Sequence, residues 1–228
     1  MTRLAQIEVE YTRRQELAHS LTHAVGVAAC LAAVPWLTVA AATQGEAWRL
    51  VGGLTFGLSA LLVFTASTLY HATTDPVTKE RLHDFDHCAI FLLIAGTYTP
   101  FTIGVMHGTW RWVLFGLVWG AAFLGIAATL TLGMRFKDRS TLFYLAMGWA
   151  GIIALGPLIN ALTQAQVLWL LAGGIAYTIG VPFYLWKRTP YAHSVWHVMV
   201  LVGASCHFQA VMAVISAPVG AVTGTEVR

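Results

Sequence analysis

In the stretch HSVWH, His193 and His197 stand four residues apart. On a helix that spacing puts two imidazoles on one face with Cβ atoms about 5 to 6 Å apart, close enough to chelate one metal ion. A second stretch, STLYH, ends on His71 and carries Ser67 one helical turn earlier on the same face. His71 supplies a third nitrogen if its helix meets the one bearing His193 and His197. Three neutral imidazoles with water in the fourth position form the pattern of an open zinc site, with metal–nitrogen distances of about 2.0 to 2.1 Å. Such an ion lowers the pKa of its water to about 7, generating hydroxide where no strong base exists. Asp86 is a candidate base or water-orienting carboxylate, and the Ser67 hydroxyl is a candidate to hold the water or polarise a carbonyl. Imidazole also suits iron, copper and other divalent ions. A lone HxxxH pair at a helix end has a plainer reading as well, in which the rings snorkel or cap at an interface.

The elements that would carry these residues follow from composition. Hydrophobic residues make up 57% of the 228 and charged ones 10%, against roughly 25% charged in a soluble domain. That marks an all-α integral membrane protein. Apolar runs at about 20–43, 50–72, 86–106, 111–133, 140–160, 167–186 and 193–217 are each near the roughly 20 residues needed to cross a bilayer. Seven transmembrane helices are predicted, joined by short polar segments such as TQGEAWR and GMRFKDRS, so consecutive helices pack as antiparallel neighbours around one core. The expected division is a tail or short amphipathic interfacial helix over 1–18, the seven-helix domain over 19–217 and a short tail over 218–228. A cleaved signal peptide is the competing reading of the first span, but its apolar run exceeds the 7 to 15 or so residues typical of such a peptide.

Orientation follows from the positive-inside rule. The N-terminal tail and the second, fourth and sixth loops hold Arg3, Arg13, Arg14, Lys79, Arg81, Arg135, Lys137, Arg139, Lys187 and Arg188. The other side holds only Arg49, Arg111 and Arg228. This places the N-terminus in the cytoplasm and, with an odd number of spans, the C-terminus outside. The net charge of +3 is then topological and gives no sign of a nucleic-acid partner. The same topology gathers His19, His23, His71, His83, His87, His193 and His197 toward the cytoplasmic helix ends and leaves His107 and His207 toward the other side. His71 ends the second span, Asp86 opens the third, and His193 with His197 opens the seventh, so these four share one depth. Ionisable residues in a membrane bundle either meet the interface or line an internal polar site. Cys30, Cys88 and Cys206 lie in apolar runs without metal or disulfide spacing and are expected to pack. Gly53 with Gly57, and Gly116 with Gly120, are candidate close-packing pairs, and Pro100, Pro157 and Pro182 candidate kinks.

ELAHSLTHAVG (16–26), STLYH (67–71), DHCAIFLLIAGTYTPF (86–101) and HSVWH (193–197) resemble motifs of the progestin and adipoQ receptor family, in its bacterial hemolysin III branch. The resemblance runs from Glu16 to about Phe208. It implies a seven-helix bundle with a cytoplasmic N-terminus and an intramembrane zinc ion near the cytoplasmic face. Carried over by motif, the zinc ligands fall on His71, His193 and His197, the family's water-mediated aspartate on Asp86 and its serine on Ser67. Its first motif, a Glu followed by Asn and Thr-His, matches at Glu16, Thr22 and His23, while His19 stands where the pattern has Asn. His83 and His87 match no ligand position and are read as interfacial or supporting residues beside the site.

Three classes of function fit. A hydrolase would set Zn2+-bound water on an amide or ester of a membrane lipid, such as a ceramide-like amide, with Asp86 handling the proton and Ser67 the oxyanion or water. A cytolytic pore-former would match the hemolysin label, although seven apolar spans demand insertion in the producer's own membrane, which does not suit a toxin that must cross water. A receptor-like or membrane-homeostasis protein would keep the zinc as a purely structural ion and respond to lipid.

Overall fold

A computed structural model describes residues 11–218. Eight α-helices follow in order: α1 (Arg13–Gln44), α2 (Ala47–Ala72), α3 (Pro76–Pro100), α4 (Gly108–Leu132), α5 (Met134–Gly148), α6 (Leu155–Ala161), α7 (Gln164–Leu185) and α8 (Ala192–Ile215). They make seven stretches long and apolar enough to cross a membrane, the fifth assembled from the end of α5, a 3₁₀ segment and α6. No strand occurs among the described residues. The protein is a multi-pass integral membrane protein, because only helices that satisfy their own backbone groups tolerate hydrocarbon in this form.

The helices extend beyond their apolar runs wherever a cap allows. Helix α1 starts at Arg13, seven residues before the hydrophobic run, because Thr12 and Gln15 close a capping box: the Thr12 Oγ1 accepts from Gln15 N and the Gln15 Oε1 accepts from Thr12 N at 2.9 Å. Residues 13–18, expected in a separate interfacial piece, are therefore continuous with the first span; residues 1–10 and the last ten of the 218–228 tail lie outside the described residues. Helix α3 likewise starts ten residues before its apolar run, with Pro76 in its first turn and the Asp75 carboxylate accepting from Thr78 N at 2.8 Å. Hydrogen bonding by the Thr78 side chain, and then by its backbone N–H, holds the Asp75 carboxyl below its usual range. Apolar length thus marks the membrane crossing, and caps mark the helix.

Two of the three prolines expected to kink their helices, Pro100 and Pro157, coincide with irregular backbone. After Pro100 the helix widens into a π turn over Phe101–Val105, closed by Met106 N donating to Phe101 O at 3.0 Å. Before Pro157 the fifth span tightens into 3₁₀ over Ala150–Ala154, which avoids the clash of a proline ring with the carbonyl four residues back. Pro182 lies within α7, one turn before its end.

The main core is built by α1, α2, α3 and α8, with Leu37, Phe56, Phe64, Ala66, Val211 and Ile215 buried at its centre. A second core around Phe91 joins α3 to α4 and α5 through Met106, Leu114, Val118 and Met147. Of the expected glycine pairs, Gly53 and Gly57 do sit at an interface, where an added Cβ would stand 2.8 Å from Ile215 and 2.9 Å from Val34. Gly116 and Gly120 do not, since nothing described lies within 4 Å of a Cβ there. Cys30, Cys88 and Cys206 are free thiols.

The antiparallel order brings the start of α1, the end of α2 and the starts of α3 and α8 to one end of the bundle. At the opposite end Arg49, counted above as a loop charge, is fully buried. Its Nη1 donates to the carbonyls of Val214 (3.1 Å), Ile215 (2.7 Å) and Ala217 (2.7 Å), and its Nε donates to Glu46 at 2.7 Å. It caps the C-terminus of α8, satisfying carbonyls that the helix itself leaves open.

Candidate metal centre

Glu16, one turn into α1, ties three helices together. Its Oε2 lies 2.6 Å from His71 Nδ1 at the end of α2, and its Oε1 accepts from Lys79 Nζ at 2.7 Å in the first turns of α3. Lys79 also donates to the carbonyls of Tyr70 and Thr73, each at 3.3 Å, and lies over the Tyr70 ring. A carboxylate only accepts, so the proton of His71 sits on Nδ1, an assignment made from the hydrogen-bond network. The other nitrogen, Nε2, keeps its lone pair, is buried and has no partner among the described residues. A buried acceptor without a partner costs about 1 to 3 kcal/mol, which an ion at Nε2 would remove.

His197 is held in the same way from α1. Its Nδ1 lies 3.0 Å from the His19 carbonyl, the partner to which it donates, and 3.1 Å from Thr22 Oγ1. The Thr22 hydroxyl is itself anchored on the carbonyls of Ala18 (3.0 Å) and His19 (2.7 Å). Donation through Nδ1 again leaves Nε2 as the free donor atom, and such outer contacts fix ring orientation at metal sites. Behind His197, the ring of His23 stacks at 3.7 Å and 12° and is flanked by Phe64.

His193, half-buried, completes the group. It is the second residue of α8, whose N-cap Tyr191 has a φ of +59° that turns the chain sharply into the helix. A non-glycine residue in this left-handed region carries strain that the surrounding structure must hold. One ligand atom from each of His71, His193 and His197 lies within 4.8 Å of the other two, so the cluster could hold a metal ion. The rings are 5.1 Å (71 to 193), 5.1 Å (71 to 197) and 4.5 Å (193 to 197) apart. The donor set fits: three imidazoles from two helices, two of them oriented from behind.

The His19 ring packs beside this group. It lies 4.9 Å from His71 and 4.8 Å from His193, and Tyr11 packs edge-on against it at 4.6 Å. Burial and the nearby Glu16 carboxylate push the Tyr11 phenol above its usual pKa. Sequence spacing gave no sign of Tyr11 or Lys79; both act through partners on other segments.

Ser67 is buried near the end of α2 and Asp86 is half-buried in α3. Ser67 lies one helical turn along α2 from His71. His83 and His87 join a different polar group. The His83 ring stacks on Tyr70 at 4.9 Å, and its Nδ1 accepts from Lys137 Nζ at 3.2 Å. Lys137 is buried against Asp84, although the sequence counts it as an exposed topological charge. His87 Nδ1 lies 3.0 Å from the His83 carbonyl, and Tyr144 donates to the His87 carbonyl at 3.0 Å. At mid-bundle His207 Nε2 lies 3.2 Å from the Leu170 carbonyl, far along α8 from the cluster.

Comparison with known proteins bears on the same residues. The family model described as "Haemolysin-III related" matches residues 11–208, which include every residue of the cluster. The chain is 42% identical over 202 residues to the Hemolysin-3 homolog of Bacillus subtilis (strain 168), covering 89% of this chain and 95% of that one. It is 37% identical over 212 residues to Hemolysin-3 of Bacillus cereus, covering 93% and 94%. A more distant similarity, 25% over 178 residues and 73% and 71% of the two chains, reaches the human Monocyte to macrophage differentiation factor.

Proposed function

The chain belongs to the haemolysin-III-related family of membrane proteins, and from that footing we propose that it is a zinc-dependent hydrolase of amide or ester bonds in membrane lipids. The carrying observation is the buried, unpartnered Nε2 of His71, set among three imidazoles drawn from α2 and α8. Histidine nitrogens without hard oxygen donors favour Zn2+ over magnesium or calcium. When bound by His71, His193 and His197, the ion would supply Lewis acidity and a water of lowered pKa.

Each remaining role belongs to the chain itself. Glu16 and the His19 carbonyl hold the protons of His71 and His197 on Nδ1, so that both Nε2 atoms stay free. An Asp86 carboxylate oxygen takes a proton from the attacking water and returns it to the leaving amine or alcohol. The Ser67 Oγ–H orients that water or donates to the lipid carbonyl oxygen as charge gathers there. The positive-inside asymmetry supports turning this end of the bundle toward the cytoplasm, where a ceramide-like lipid presents its amide at headgroup depth.

The test is metal analysis together with turnover of ceramide-like and phospholipid substrates by detergent-purified protein. One zinc per chain and measurable turnover are expected. His71→Ala and His193→Ala lose the metal, whereas Asp86→Ala keeps it and loses turnover. Zinc without turnover in the unaltered protein refutes the hydrolase and favours a structural ion in a lipid-responsive protein.

A further inference from the structure

We propose that a second copy of this chain docks along the outer face of α8, with the side-chain amide of Gln209 at the centre of the contact. This face is on the helix that carries His193 and His197, but it does not depend on a metal there. Gln209 is exposed on a helix long and apolar enough to cross a membrane, and its amide has no hydrogen-bond partner among the described residues. A carboxamide carries two N–H donors and an acceptor oxygen, and lipid tails can satisfy neither.

Depth and direction both keep this amide from water. Gln209 precedes the end of α8 at Ile215 by six residues, so it lies about 9 Å along the axis from that end. The 24 residues of α8 span about 36 Å, against a hydrocarbon core of about 30 Å, which leaves Gln209 about 6 Å inside the core. Side chains on a helix tilt toward its N-terminus, here toward mid-bilayer, so Gln209 does not reach for the nearer surface. Other exposed polar groups in the spans are satisfied by their own helices: Thr131 Oγ1 donates to Ala127 O and Thr178 Oγ1 to Gly174 O, each at 2.7 Å. Gln209 makes no such bond.

The surface around it suits a helix. Val195, Val198, Val202, Ser205, Gln209 and Ala213 are exposed at steps of three and four residues, the spacing of a seam between two helices. A groove of about 320 Å³ follows this seam from Val198 to Gln209, walled by Trp169 of α7.

Complementarity selects the occupant. Copies of one chain insert with the same topology, so a closed pair has its two-fold axis along the membrane normal and its two α8 helices parallel. Gln209 then meets Gln209 at one depth, and each amide donates an N–H to the oxygen of the other. Ser205 faces Ser205 one turn deeper. A polar residue at one seam position fixes the register of such a pair. An acyl chain would fill the groove and leave the amide unsatisfied, and an unrelated helix would need a polar group at this one depth, which a second copy supplies by symmetry.

The experiment uses full-length protein carrying a donor or an acceptor dye at its C-terminus, reconstituted in liposomes, and follows energy transfer as the lipid-to-protein ratio rises. A two-copy association is expected. Gln209→Leu removes the amide pair and should raise the dissociation constant about 5- to 30-fold. Val202→Trp, which puts bulk into the seam, should also weaken the pair, whereas Leu124→Ala on the exposed face of α4 should not. Energy transfer no greater than that of randomly diluted monomers overturns the proposal, as does an assembly of more than two copies. A Gln209→Leu protein that associates within twofold of the unaltered one, or an equal loss in Leu124→Ala, also overturns it. Should Gln209→Leu fail to fold, Val202→Trp decides.

Discussion

Replacing Glu16 by Gln tests how His71 is prepared for a metal. Both oxygens of Glu16 act as acceptors, one for the His71 Nδ1–H at 2.6 Å and one for Lys79 at 2.7 Å. Glutamine has the same shape but only one acceptor, and its amide nitrogen is a donor, so it faces either His71 or Lys79 with donor against donor. If Lys79 keeps the oxygen, His71 must move its proton to Nε2 to accept from the amide, and Nε2 is then lost to the metal. Removing the partner that orients a metal-bound histidine typically weakens binding about 10- to 100-fold, which is about 1.4 to 2.7 kcal/mol. Competition for zinc with a chelator of known affinity, on purified protein at fixed pH, measures this directly. Lys79→Met serves as the control. It removes the other partner of Glu16 but leaves the His71 contact, and a partly exposed ion pair worth about 1 kcal/mol or less changes the affinity by less than about fivefold. Zinc binding by Glu16→Gln within twofold of the unaltered protein would refute the assigned tautomer and with it the role of Glu16.

Two further outcomes are expected. Arg49→Ala leaves carbonyls at the end of α8 without their buried donor, so thermal stability in detergent should fall by about 2 to 4 kcal/mol; zinc content should be unchanged because the cluster lies at the other end of α8, and loss of zinc in a folded Arg49→Ala protein would contradict that separation. Liposomes containing the protein should stay tight to small solutes, since its seven apolar spans suit residence in a bilayer; rapid efflux would favour the pore reading.

Much of the fold was legible in the residues. The seven apolar runs coincide with the observed spans, and the motif histidines His71, His193 and His197 do converge. Helix starts were less legible, because Thr12 with Gln15 and Asp75 with Pro76 extend α1 and α3 through polar turns that a hydropathy reading ends early. Charges were the least legible. Arg49 and Lys137 count as loop cations by position, yet both are buried, one on carbonyls some 165 residues away in sequence and the other between Asp84 and His83. Likewise, two glycine pairs of identical spacing differ because only Gly53 and Gly57 face neighbouring helices.

What the sequence alone determined is therefore local: in hydrocarbon each helix must satisfy its own backbone groups, so a run of apolar residues is enough to define it. The spacing of HSVWH also suffices to put His193 and His197 on one face. Tertiary structure decided everything that depends on the far side of a ring. Only the approach of α1 gives His71 its carboxylate, gives His197 its backbone acceptor, and turns His19 from a residue one turn beyond Glu16 into a fourth imidazole beside the other three. Which nitrogen of a histidine is free, and how many histidines share one space, depends on contacts through space that no spacing along the chain encodes.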